Sequence, residues 1–226
     1  MKLIHCIIVF CCLLFSVSAF SEHNEKYKIL VYGDSLSAGY KIADENSFPR
    51  VLKQQLYKKG YKNIEIINGS VSGETTVSGL KRLPEVLYIV RPNAVILELG
   101  INDVFKGFSV SSIEKNLSAM INMCREKNIP VLLIGMKSPP YAEISYQKKF
   151  NQLYAQLAKR YHLVLYPFFM KGLIAVEYGI ATPKIKYMLP DKIHPNEMGV
   201  RVMVNNFLPY MIKFLKQNKE KNSFIH

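Results

Sequence analysis

A chain of 226 residues that is 49% hydrophobic, with 14 Tyr and 12 Phe, supplies one sizeable core; it is too short for two comfortable cores and too apolar for a disordered protein. Its formal charge of +13 invites an acidic partner. No basic block is interleaved with stacking aromatics, so nucleic acid is set aside, and the charge reads as a Lys-rich bias over solvated faces with weak attraction to anionic membrane surfaces.

At the N-terminus, Lys2 gives a positive start, Leu3 to Phe15 is an apolar run broken only by His5, and Val17-Ser18-Ala19 resembles a cleavage site. Residues 1–19 therefore read as a secretory signal peptide. As an anchor helix the apolar stretch is short, and neither Cys11 nor Cys12 follows the small residue that a lipoprotein signal requires. Removing this segment takes Cys6, Cys11 and Cys12 with it and leaves Cys124. A single cysteine forms no intramolecular disulfide and no thiolate metal cluster, and its apolar, helix-spaced neighbours mark a buried thiol. The expected destination is across the inner membrane, in the periplasm, with residues 20–226 as one domain.

Five short apolar, β-branched runs follow: Lys28 to Tyr32, Ile64 to Asn68, Ala94 to Leu99, Pro130 to Ile134 and Leu163 to Tyr166. Amphipathic segments of helical period lie between them, near 47–60, 77–90, 111–127 and 143–161, with a last one near 196–216. No internal repeat or Pro/Gly/Ser linker divides them. Continuous apolar strands separated by helices predict an α/β fold, a three-layer α/β/α sandwich with a five-stranded, mostly parallel sheet. Such sheets bind ligands beyond the carboxyl ends of their strands.

The residues at those ends are small, polar and of hydrolytic type. Gly33-Asp34-Ser35-Leu36-Ser37 follows the first run, Ser72-Gly73-Glu74-Thr75 lies after the second, and Gly100-Ile101-Asn102-Asp103 follows the third. Asp191-Lys192-Ile193-His194-Pro195 precedes the last helix. Any one of these is ordinary loop chemistry. Together, GDSLSAGY (33–40), SGET (72–75), LGIND (99–103) and DKIHPN (191–196) resemble the four ordered blocks of the SGNH, or GDSL, hydrolases, over essentially the whole chain after the signal. RLP at 82–84, ELGINDVFKGF at 98–108 and LYPFFM at 165–170 are similar to the subgroup of periplasmic multifunctional thioesterases, arylesterases and lysophospholipases.

The resemblance implies a flavodoxin-like sandwich and a serine hydrolase acting on acyl esters or thioesters through an acyl-serine intermediate. A serine hydroxyl needs a base to act as a nucleophile; the resemblance assigns Ser35 as nucleophile, His194 as base and Asp191 as the carboxylate that orients it. It also implies oxyanion donors in the backbone N–H groups of Ser35 and Gly73 and the side chain of Asn102. His5 leaves with the signal, His23 and His226 lie near the termini, and His162 directly precedes the fifth strand and reads as structural. No second His or Cys stands at ligand spacing around Asp191 and His194, so no metal and no cofactor is expected. Asp34 and Asp103 read as structural, each bonding backbone N–H groups of its own loop.

Two substrate-binding positions are expected. The subgroup often has Gly where this chain has Ile101, whose side chain would alter the pocket wall. Tyr141 lies in a Pro- and aromatic-rich segment, Lys137 to Tyr146, that suits an acyl chain or forms a plain rigid turn. The expected partner is a small acyl ester or lipid, taken by a monomer. The alternatives are an O-acetyl esterase of a cell-wall or surface polysaccharide and a basic, non-catalytic binder of membrane or nucleic acid.

Overall fold

The computed structural model describes residues 26–177 and 180–219, and the expected signal peptide at 1–19 lies outside the described residues. The chain runs β1 (Tyr27–Gly33), α1 (Ser35–Ala38), α2 (Phe48–Lys58), β2 (Ile64–Asn68), α3 (Thr76–Val90), β3 (Ala94–Glu98), α4 (Ile101–Phe105) and α5 (Val110–Glu126). It continues through β4 (Val131–Ile134), α6 (Ile144–Tyr161), β5 (Val164–Tyr166), β6 (Ile174–Glu177), β7 (Ile180–Pro183) and α7 (Glu197–Lys219).

The five apolar runs form one sheet in the order β2-β1-β3-β4-β5, every pairing parallel, which is the flavodoxin-like order. Every residue of β3 and β4 is buried, as a sheet covered on both faces requires. The β1-to-β2 crossover runs one way along the sheet and the later crossovers run the other. Right-handed connections therefore place α2 on one face and α3, α5 and α6 on the opposite one. The packing agrees: α2 lies against α7, α3 against α5, and α5 against α6.

Helix α7 shows why its sequence belongs here. Val200, Met203, Val204, Phe207, Leu208, Met211, Phe214 and Leu215 recur at three- and four-residue steps and are all buried. Phe207 meets the edge of Phe48 at 5.3 Å, and Phe48 meets Phe169 at 4.9 Å. Each such side chain contributes roughly 1.5–3 kcal/mol by leaving water. Cys124 is buried on α5, where desolvation pushes its thiol up to about 12, so it is unreactive at neutral pH.

The sheet's direction of travel reverses between β1 and β3. Their carboxyl ends lead to opposite faces and leave a crevice between the loops. Ser35 follows β1 and Asn102 follows β3, so the fold places these two residues on either side of that switch point. The sheet is wholly parallel, and a small antiparallel hairpin, β6–β7, stands apart from it.

Candidate active site

The turn carrying Ser35 is built by its neighbours. Asp34 is fully buried, and its Oδ1 accepts the Leu36 N–H at 3.0 Å, capping α1. That helix ends after one turn at Gly39, whose φ of 87° suits glycine. Ser35 becomes the first residue of the helix, half-buried, and its backbone N–H bonds to no other described residue.

A loop before α7 brings up the base. The Leu189 N–H donates to the His194 carbonyl at 2.8 Å and closes the loop. Inside it, Asp191 Oδ1 accepts the N–H groups of Ile193 and His194 at 2.9 and 3.0 Å. Its Oδ2 lies 2.9 Å from His194 Nδ1, and His194 Nε2 lies 2.9 Å from Ser35 Oγ. The three-residue spacing lets one short loop present both side chains. The ring of Tyr40 packs on the imidazole, centroid to centroid 4.4 Å.

Partial desolvation of Asp191 works against its charge. The backbone N–H groups of His194 and Ile193 and the His194 ring outweigh it and lower the carboxyl to about 2. Asp191 is thus ionised at neutral pH and accepts only. Nδ1 must then carry the proton, leaving Nε2 as the acceptor for the Ser35 hydroxyl.

The loop after β2 carries Gly73 at φ 79°, exposed, its N–H bonded to no other described residue. Arg82 holds that loop to α3: Nε donates to Glu74 Oε1 at 3.1 Å, and a terminal nitrogen donates to the Gly69 carbonyl at 2.8 Å. Asn102, half-buried in the first turn of α4, joins the loops. Its amide donates to Asp34 Oδ2 at 3.2 Å and to the Glu74 carbonyl at 3.1 Å. Asn102 thus ties the turn carrying Ser35 to the loop carrying Gly73, and His194 joins Asp191 to Ser35, all at the carboxyl edge of the sheet.

The expected substrate residues are placed differently. Ile101 is 9% exposed and packs in the core at the start of α4, so most of its side chain is withdrawn from any open groove. Tyr141 is 78% exposed on the loop after β4 and makes no bond or ring contact to the Ser35 cluster among the described residues. Asp34 bonds its own loop as expected, and Asp103, besides its own backbone N–H, also serves a distant partner. Its carboxylate reaches 27 residues back to the Thr76 N–H, at 2.8 Å, and to the Thr76 hydroxyl, satisfying the start of α3. His162, at a φ of 54°, ends α6. Glu98 is wholly buried at the end of β3, and its only signal in the sequence is a lone carboxylate in AVILE. Among the described residues, no group of three or more His, Cys, Asp or Glu side chains is set to hold a metal ion.

A Ser–His–Asp series of short contacts on an open parallel sheet defines a serine hydrolase of the α/β/α class. Residues 31–202 match the GDSL-like lipase/acylhydrolase family, and the chain belongs to it as an ester hydrolase. The chain is 38% identical to an arylesterase of Vibrio mimicus over 183 residues, 81% of this chain and 86% of that protein. It is 33% identical to thioesterase 1/protease 1/lysophospholipase L1 of Escherichia coli K12 over 168 residues, 74% of this chain and 75% of that protein. The crystal structure of the psychrotrophic esterase EstA from a Pseudoalteromonas species, inhibited by monoethylphosphonate, superposes with a TM-score of 0.75 at 29% identity, covering 84% of this chain and 100% of that one.

Proposed function

We propose that the protein hydrolyses acyl esters and thioesters, lysophospholipids or aryl esters among them, with Ser35 as nucleophile. The supporting observation is the unbroken series from Ser35 Oγ to His194 Nε2 and, across the ring, from His194 Nδ1 to Asp191 Oδ2, with both hydrogen bonds 2.9 Å long. As Ser35 Oγ attacks the acyl carbon, His194 takes its proton and Asp191 stabilises the resulting imidazolium. The oxyanion meets the free N–H groups of Ser35 and Gly73, and Asn102 turns an amide hydrogen to it from Asp34 or Glu74. Collapse expels the leaving group with the proton from His194. Water, deprotonated by the same ring, then releases the acid from acyl-Ser35.

Asn102→Ala should lower kcat by about 10²–10³-fold, the cost of one such donor, with KM little changed. Steady-state kinetics on a p-nitrophenyl ester checks this, and an unchanged kcat removes Asn102 from the oxyanion site.

The substrate is proposed to carry an acyl chain of several carbons. Val71, Phe105, Tyr141, Ile144 and Ile193 are exposed large apolar residues, and all lie in or next to the loops that form the site's edge of the sheet. A p-nitrophenyl ester series from acetate to palmitate tests this. Each methylene that finds apolar cover should raise kcat/KM by up to about fourfold, from roughly 0.8 kcal/mol of burial. A sharp preference for acetate would favour the polysaccharide O-acetyl esterase instead.

The reading extends to residues 1–19 as a secretory signal, residues 20–226 as one hydrolase domain, and a periplasmic location. The five site groups come from one chain, which supports a monomer. Exposed Lys41, Lys106, Lys137 and Lys192 around the same edge support weak attraction to anionic membrane surfaces.

A further inference from the structure

Beneath the Ser35 turn lies a buried acidic pair. Glu98 is wholly buried; its Oε2 accepts the Ser37 hydroxyl at 2.7 Å and the Asp34 N–H at 3.2 Å, while its Oε1 has no hydrogen-bond partner. Gly33 makes room for it, since a Cβ there would sit 2.5 Å from Oε2. Asp34 is equally buried and offers Oδ1 to the Leu36 N–H and Oδ2 to the Asn102 amide.

Neither carboxyl has an ion-pair partner among the described residues. Arg82, on neighbouring α3, is engaged by Glu74. The other titratable groups around the pair are Glu74 from the loop after β2, Asp103 on α4 and Tyr154 on α6, none of them cationic, and Lys106 faces Asp103. Two bare negative charges do not persist side by side away from water. The donors decide which charge survives: Asp34 has one on each oxygen, and Glu98 has donors on only one.

We propose that Glu98 is a positioning residue held as the neutral acid, its carboxyl fixing the Asp34–Ser37 turn and leaving the pair's one negative charge to Asp34, which holds the Asn102 amide. Burial is the main cause that raises both groups; Asp34 rises to about 7 and Glu98 well above the ordinary carboxyl range, with the neighbouring Asp34 adding to the effect. Glu98 reaches no reacting atom and acts through Asp34, Ser37 and Asn102. Its effect on turnover rests on the proposed roles of Ser35 and Asn102.

The test compares Glu98→Gln, Glu98→Leu and Ser35→Ala on a soluble p-nitrophenyl ester, together with thermal unfolding of the Gln variant against pH. Gln supplies the same acceptor without a charge, so it should keep kcat within about twofold; Leu should lower kcat about tenfold or more, with KM nearly unchanged. A carboxyl whose folded pKa exceeds its unfolded value of about 4.3 loses stability as pH rises from that value towards the folded one. Gln has no such loss, so its melting temperature should gain on that of the wild type as pH rises from about 4.3 through neutrality. A Gln variant as slow as Leu, or a melting-temperature difference that does not change with pH, would overturn the proposal. If Leu prevents folding, the Gln variant and its pH dependence decide alone. Hydrolysis surviving in Ser35→Ala would remove the nucleophile reading and leave the unfolding result standing.

Discussion

Ser35→Ala is expected to lower kcat for ester hydrolysis by about 10⁴-fold or more, while the fold is retained. The size follows from the geometry. Ser35 Oγ is the one nucleophile at the end of the 2.9 Å series through His194, and its loss leaves only the oxyanion donors and substrate binding to accelerate attack by water. Stability should change by no more than about 0.5 kcal/mol, because Ser35 is half-buried and its hydroxyl bonds only to His194, which water can replace. Two measurements bear on this. Steady-state kinetics reads the loss, and a fluorophosphonate probe should label the wild type and not the variant. Turnover persisting in Ser35→Ala would end the acyl-serine mechanism. A wild type that neither turns over esters nor takes the probe, yet binds anionic vesicles in a salt-sensitive way, would favour a non-catalytic binder on a hydrolase fold.

What the amino-acid pattern discloses depends on how local the cause is. The five strands are legible because a parallel sheet covered on both faces demands unbroken apolar runs, and Ala94–Glu98 supplies one. The longer helices are legible from period, as α7 illustrates. Helices α1 and α4 escape notice because four and five residues are too few to show a period, yet they carry Ser35 and Asn102. The β6–β7 hairpin escapes for a similar reason, with four residues in each strand. Long-range partnership is the other blind spot. Nothing near Asp103 announces that its carboxylate serves Thr76, and Asp34 and Glu98 lie 64 residues apart before the sheet sets β1 beside β3. The depth of Ile101 is likewise a product of packing: a side chain beside Asn102 in sequence can still turn into the core.

The second large effect concerns Asp191, and there the loop geometry dictates the direction. Both carboxylate oxygens accept: Oδ1 from two backbone N–H groups, Oδ2 from the imidazole. Asparagine offers one acceptor oxygen and one donor nitrogen. If its nitrogen faced the backbone, it would oppose the N–H groups of Ile193 and His194, so its oxygen should stay there and its NH₂ should meet Nδ1. The ring would then carry its proton on Nε2, the wrong tautomer to receive the Ser35 hydroxyl proton. Asp191→Asn should therefore lower kcat by about 10³–10⁴-fold with KM nearly unchanged. Stability should respond through pH. The Asp191 carboxyl is held at about 2 in the folded chain, below its unfolded value, so its stabilising effect is present above the unfolded pKa and is lost as pH falls through the folded one. The melting-temperature difference between wild type and Asp191→Asn should accordingly be widest near neutrality and shrink on acidification. It should be modest throughout, because the side chain is a third exposed and water screens its contacts. A variant keeping more than about a tenth of wild-type kcat would show that Asp191 does not set the His194 tautomer.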